Sequence, residues 1–175
     1  MPHGAEHSSA ALRDASDQAE ANKRNARRRT RLYLVLTVAT PVIIVHTLAH
    51  AVGGLKAAAQ AGRAVVLASA ADAGRYVGPG WFRELVAAAR AAVPAARCSS
   101  LLDCGDSAGA TLAAIRALVE GVVFTGRAEV ARRLVEIALR HGVRFETRRP
   151  TAALDLADDF FASAEAVERR CRGLF

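Results

Sequence analysis

From Pro41 to the C-terminus, short β-branched runs alternate with longer runs of helical period, and few folds accept that rhythm. Val42-Ile43-Ile44-Val45 predicts a first strand. Leu48, Val52, Leu55 and Ala59 then share one helical face, which Gly62 terminates. A second strand is expected at Ala64–Ala68. Asp72, Gly74 and Gly78-Pro79-Gly80 mark the loop after it. Trp81 opens a helix with Phe82, Leu85, Val86, Ala89 and Val93 inward, and Pro94 stops it. Strand three, Cys98–Asp103, leads to a helix from Ser107 to Val119 with Leu112, Ile115 and Leu118 inward. Strand four, Val122–Thr125, leads to a helix burying Val130, Leu134, Ile137 and Ala138, with Arg132, Arg133 and Glu136 outside. Strand five, Val143–Thr147, precedes an amphipathic helix using Leu156, Phe160, Phe161, Ala164, Val167 and Cys171.

Such alternation implies right-handed crossovers and a parallel sheet with helices on its faces. Continuous apolar strands fit a sheet covered on both sides. The expectation is an α/β fold: a single three-layer domain with a roughly five-stranded, mostly parallel sheet, Rossmann-like or flavodoxin-like. A half-barrel that pairs with a second copy is the other arrangement. The pattern carries no strand order.

A chain of 175 residues suits one domain, and 52% hydrophobic residues suffice for a core. Aromatics are only 5%, which disfavours base stacking on single-stranded nucleic acid. The net charge of +7 is concentrated: Lys23, Arg24, Arg27, Arg28, Arg29 and Arg31 fall in one stretch without an acid. Residues 1–31 therefore read as a basic arm, disordered or loosely helical, and residues 32–175 as the α/β domain. Contact with nucleic acid or an anionic membrane through Lys23–Arg31 is the partner such an arm suggests, beside a solvated tail without a role. Residues 27–45 join this basic stretch to an apolar run, the pattern of an export signal or anchor. Pro41 splits that run, which is short for a membrane span. Cys98, Cys104 and Cys171 form no C-x-x-C pair, so a reducing cytoplasm is the expected location.

In an open parallel sheet, ligands gather beyond the carboxyl ends of the strands. That points to loops holding His46 and His50, Ser69 to Gly80, Asp103 to Gly109, Thr125-Gly126, and Arg148-Arg149. No G-x-G-x-x-G or P-loop motif is present, which argues against standard nucleotide sites and leaves the cofactor unassigned. His46 and His50 lie four apart, but no further ligand pattern supports a metal.

Gly105-Asp106-Ser107-Ala108-Gly109 stands between a strand and a helix and fits G-x-S-x-G. It resembles the nucleophile elbow of the hormone-sensitive-lipase type of α/β-hydrolase, which would make Ser107 the nucleophile. The only histidine after it is His141, at the end of a helix, and no oxyanion segment precedes it. The other reading is a helix cap by Asp106 or Ser107 beside a tight glycine turn. Residues 41–146 also resemble a group of short bacterial α/β proteins. That likeness rests on Val42-Ile43-Ile44-Val45-His46 with Leu48-Ala49-His50, on Gly78-Pro79-Gly80-Trp81-Phe82, and on Leu102-Asp103-Cys104-Gly105-Asp106. It implies the fold and no particular activity.

The leading expectation is a protein that binds an anionic small molecule at the strand ends, through Asp103, Asp106, Ser107 and Thr125, with His46 and Ser69 beside them. The alternatives are a serine hydrolase using Ser107 and a non-catalytic interaction module. The module would meet a partner or a second copy, as a homodimer, through a sheet edge or the Leu156, Phe160, Phe161 and Phe175 region.

Overall fold

The structure, a computed structural model, describes residues 40–175. The basic arm, Lys23–Arg31 within it, and most of the 27–45 stretch lie outside the described residues. Six strands are present: β1 (Val42–Val45), β2 (Ala64–Ser69), β3 (Arg97–Asp103), β4 (Gly121–Val123), β5 (Arg144–Glu146) and β6 (Leu154–Asp155). The helices are α1 (Leu48–Gln60), α2 (Ala73–Tyr76), α3 (Gly78–Ala92), α4 (Ala108–Arg116), α5 (Ala128–Arg140) and α6 (Ala164–Cys171). All strands pair in parallel, in the order β5-β4-β3-β2-β1-β6.

The α/β class and the parallel sheet are as the alternation implies. The order within the sheet is not doubly wound. From β1 to β5 each strand lies beside its predecessor, and there is no reversal between them. Crossovers of one hand then place every helix on the same face. Packing agrees. Ile43, Val45, Val65, Leu67, Leu102 and Val122 share one core with Leu55 of α1, Phe82 and Leu85 of α3, Ile115 of α4, Ala138 of α5 and Val167 of α6. The alternate strand residues Val42, Val66, Ala68, Leu101 and Val123, with Ile44, form a separate small cluster with no helical member among the described residues. Among the described residues the helices therefore lie on one face of the sheet, where the alternation also allowed helices on both. Both arrangements have the same alternation in sequence, so periodicity does not separate them.

Residues 147–153 join β5 to β6, which pair at opposite ends of the strand order. This short connection is a strap: Arg149 within it reaches Asp103 at the end of β3. Its end docks on β1, with Ala153 N donating to Val42 O at 2.8 Å and Leu156 N to Ile44 O at 3.2 Å. β6 was not expected. Leu156, Phe160 and Phe161 mimic a helical spacing, but the last helix begins only at Ala164, where Ser163 Oγ accepts from Ala166 N. Leu156 is fully buried, whereas Phe161 is 97% exposed. Leu118, expected inward, lies beyond the end of α4 at φ 56° and is exposed. Gly53 is a packing device: a Cβ there would stand 2.6 Å from Ala164 O and 2.7 Å from Val167 Cβ, so α6 can lie against α1 only because that atom is missing.

Candidate functional site

The carboxyl end of β3 organises its surroundings through one carboxylate. Asp103 closes the strand and is buried. Its Oδ1 accepts from the backbone N–H of Asp72 and of Gly105, both at 2.9 Å. Arg149 completes the set, with Nε at 2.6 Å from Oδ2 and Nη2 at 3.3 Å from Oδ1. A carboxylate with four such donors is well compensated for its burial. The same guanidinium lies 3.6 Å from Asp72 Oδ2. Hydrogen bonding to Asp103 raises the Arg149 guanidinium above its already high range.

Local backbone makes this convergence fit. Asp72 sits in the left-handed region, at φ 59°. Gly105 does too, at φ 56°, and a Cβ on it would collide with the Asp72 carboxylate. Only glycine lets the loop after β3 pass so close to the loop after β2. Ser69, at the end of β2, accepts from Asp103 N at 2.9 Å and donates to Ala70 O at 3.0 Å.

A second pair stands at the β1 end. His46 Nε2 lies 2.8 Å from Asp155 Oδ1, which also accepts from Ala157 N at 3.0 Å. His50 is fully buried in the first turn of α1. Its Nδ1 accepts from His46 N at 3.2 Å and its Nε2 faces Asp159 O at 2.9 Å, so the ring carries its hydrogen on Nε2. Among the described residues no group of three or more His, Cys, Asp or Glu residues is placed to hold a metal.

Between these two pairs lies a cavity of about 110 Å³. Its floor is the strand face turned away from the described helices, Ile44, Ala68, Leu101 and Val123; its polar wall is Ser69, Asp103 and Asp155; Arg149 and Pro150 of the strap close it. Of the residues expected at the site, Ser69 and Asp103 line the cavity. His46 touches it through Asp155. The other three stand apart. Asp106 is exposed and pairs with Arg75 at 3.6 Å. Thr125 is exposed, and its backbone N–H donates to Gly105 O at 2.7 Å. Ser107 is the cap of α4, its Oγ accepting from Ala110 N at 3.2 Å. Its backbone is ordinary and extended, at φ −82° and ψ 103°, without the strain of a nucleophile elbow. His141 caps α5 at its C-terminal end just before β5, so it lies toward the amino ends of the strands, whereas Ser107 follows the carboxyl end of β3. Cys104, beside Asp103, is pushed up to about 11 by burial and stays a thiol near neutrality.

Arg149, Asp72 and Asp155 were missed as site residues. Arg148-Arg149-Pro150 lies in a strand-end loop, which was the available signal. Nothing in sequence marks Asp155: the two-residue strand Leu154–Asp155 has no β-branched run, and the apolar spacing of the expected last helix starts only at Leu156.

Among the described residues, no helix is long and apolar enough to cross a membrane. No family model and no curated protein matches the chain. Among solved structures, it is similar to a candidate fructose-1,6-biphosphate aldolase from Coccidioides immitis, with 18% identity and a TM-score of 0.51. That likeness covers 61% of this chain and 44% of the other, so it spans less than half of its neighbour and shows the α/β fold alone.

Proposed function

We propose that this protein binds a small hydroxylated monoanion in the strand-end cavity beneath Arg149. The observation that carries the reading is the Arg149–Asp103 contact over a cavity floored by four strands. Two carboxylates, Asp72 and Asp103, contact the one guanidinium there, and a third, Asp155, lines the same cavity. A multiply charged anion would be repelled. A single carboxylate can take the half-exposed outer edge of Arg149, while Asp103, Asp155 and Ser69 accept from hydroxyl groups. The cavity of about 110 Å³ suits a three-carbon hydroxy acid rather than a nucleotide. Three free cysteines, two of them buried, fit a cytoplasmic protein. Among the described residues no base contacts the Ser107 hydroxyl, whose hydrogen bond is the helix cap to Ala110 N, so nothing here favours the hydrolase reading.

Titration calorimetry with glycerate is expected to show saturable binding, weakened about tenfold or more in Arg149→Gln. Asp106→Ala and Ser107→Ala should bind as the parent does. No saturable binding by the parent, or an unaffected Arg149→Gln, would refute the proposal.

The interaction-module reading has one observation in its favour. Phe160 and Phe161 stack edge to face at 5.2 Å between centroids, and both are exposed. A homodimer through this corner predicts a concentration-dependent mass in sedimentation that Phe161→Ser abolishes. A monomer at every concentration would rule that dimer out.

A further inference from the structure

A second cavity, of about 240 Å³, opens between α3 and the turn that precedes β4. It lies toward the amino ends of the strands, away from the Arg149 strap. On α3, Arg83, Val86, Ala87 and Arg90 form one helical stripe along it. Phe82, Val86 and Val119 give it a buried apolar floor. Its two ends differ in charge. At one end Glu120 is already matched: Oε2 accepts from Arg90 Nη2 at 2.7 Å and from Ser100 N and Oγ, both at 3.0 Å. At the other end Arg83 donates from Nη1 to Ala117 O at 2.8 Å and has no carboxylate partner among the described residues. Leu118 stands between them, 61% exposed, in the left-handed turn that ends α4, where its N–H donates to Ile115 O at 3.0 Å and that of Val119 to Ala114 O at 3.3 Å.

We infer that this cleft is a second ligand site, separate from the strand-end cavity, that takes a small monocarboxylate with an apolar body. The carboxylate meets Arg83, and the body lies on Phe82, Val86 and Val119 beneath Leu118. Size sets the class. A dry cavity of about 150 Å³ holds a benzene ring, so the larger volume here accepts a ring with a short acidic arm and excludes a dinucleotide.

The probe is phenylacetate, with phenylacetamide as its uncharged counterpart, titrated into the full chain and followed by amide chemical shifts. Saturable binding is expected, with phenylacetate favoured about tenfold or more because its charge is matched by a guanidinium. Arg83→Gln removes an exposed group, so a melting curve should confirm that it folds. It should erase the preference and leave phenylacetamide binding intact. Arg149→Gln should keep the preference, which separates this site from the strand-end cavity. A parent that binds neither compound, or a preference that survives Arg83→Gln, overturns the inference.

Discussion

The two faces of the sheet are built for different purposes. The helix-covered face joins strand residues such as Ile43, Leu67 and Leu102 to five helices in one apolar core. The opposite face has a few strand residues, and beyond them a polar rim: Asp103, Asp155 and Arg149 over a small cavity. The first face offers only shape and apolar area, which stabilise without discriminating. The second combines an apolar floor with a few convergent polar groups, which is how ligand sites are composed. Stability and recognition are thus divided between residues that alternate along the same strands.

The sharpest way to break that comparison is a matched pair of truncations. Leu67 is 0% exposed in the helix-covered core, and Leu101 is 1% exposed beside the cavity. Leu67→Ala is expected to cost about 4 kcal/mol and Leu101→Ala about 2 kcal/mol, since the second enlarges a space that already exists. Equal costs in urea denaturation would erase the distinction. Next in size, Asp103→Asn should cost about 2 kcal/mol by weakening its bonds to Arg149 and to two backbone amides. It should also speed amide exchange in the 147–153 strap while leaving α1 protected. Unchanged exchange in the strap would mean that Arg149 does not hold it. Ser107→Ala should cost about 1 kcal/mol, the loss of one cap, with no reactivity toward a serine-directed phosphonate in the parent. Labelling of Ser107 would restore the hydrolase reading.

The smallest effect is on pH. Burial pushes the Cys104 and Cys171 thiols up to about 11, from an ordinary value of 9.0. The folded value is the higher one, so their contribution is complete below pH 9.0 and is lost as pH rises toward about 11. Replacing both with alanine should flatten that alkaline decline in melting temperature. Both lie in the helix-covered core, Cys104 at the end of β3 and Cys171 in α6, so single replacements show which end of that core loosens first.

Much of the fold is legible along the chain. β1, β2 and β3 fall within a residue of the spans expected for them, and α5 buries Leu134 and Ala138 as its spacing implies; α1 forms where expected but turns Ala51, Leu55 and Ala58 inward and leaves Leu48 exposed. The failures have a common cause. Leu156, Phe160, Phe161, Ala164 and Val167 satisfy a helical period, yet Leu154–Asp155 is drawn into the sheet by pairing with Ile43 and Ile44 of β1. Pairing across more than 100 residues leaves no local trace. The site was half legible for the same reason. Ser69 and Asp103 end their strands, and a strand-end rule finds them. Asp155 and Arg149 reach the cavity only because the chain crosses back from β5 to β1.

What the sequence determined by itself is local: the alternation of strands and helices, and the parallel sheet that helical crossovers imply. These depend on periodicity and turn chemistry within a few residues. Only the tertiary structure decided the strand order, the placing of the described helices on one face, and the meeting of Asp72, Asp103 and Arg149. Those follow from which strands become neighbours, a choice made by the packing of distant segments and open to several orders with the same local pattern.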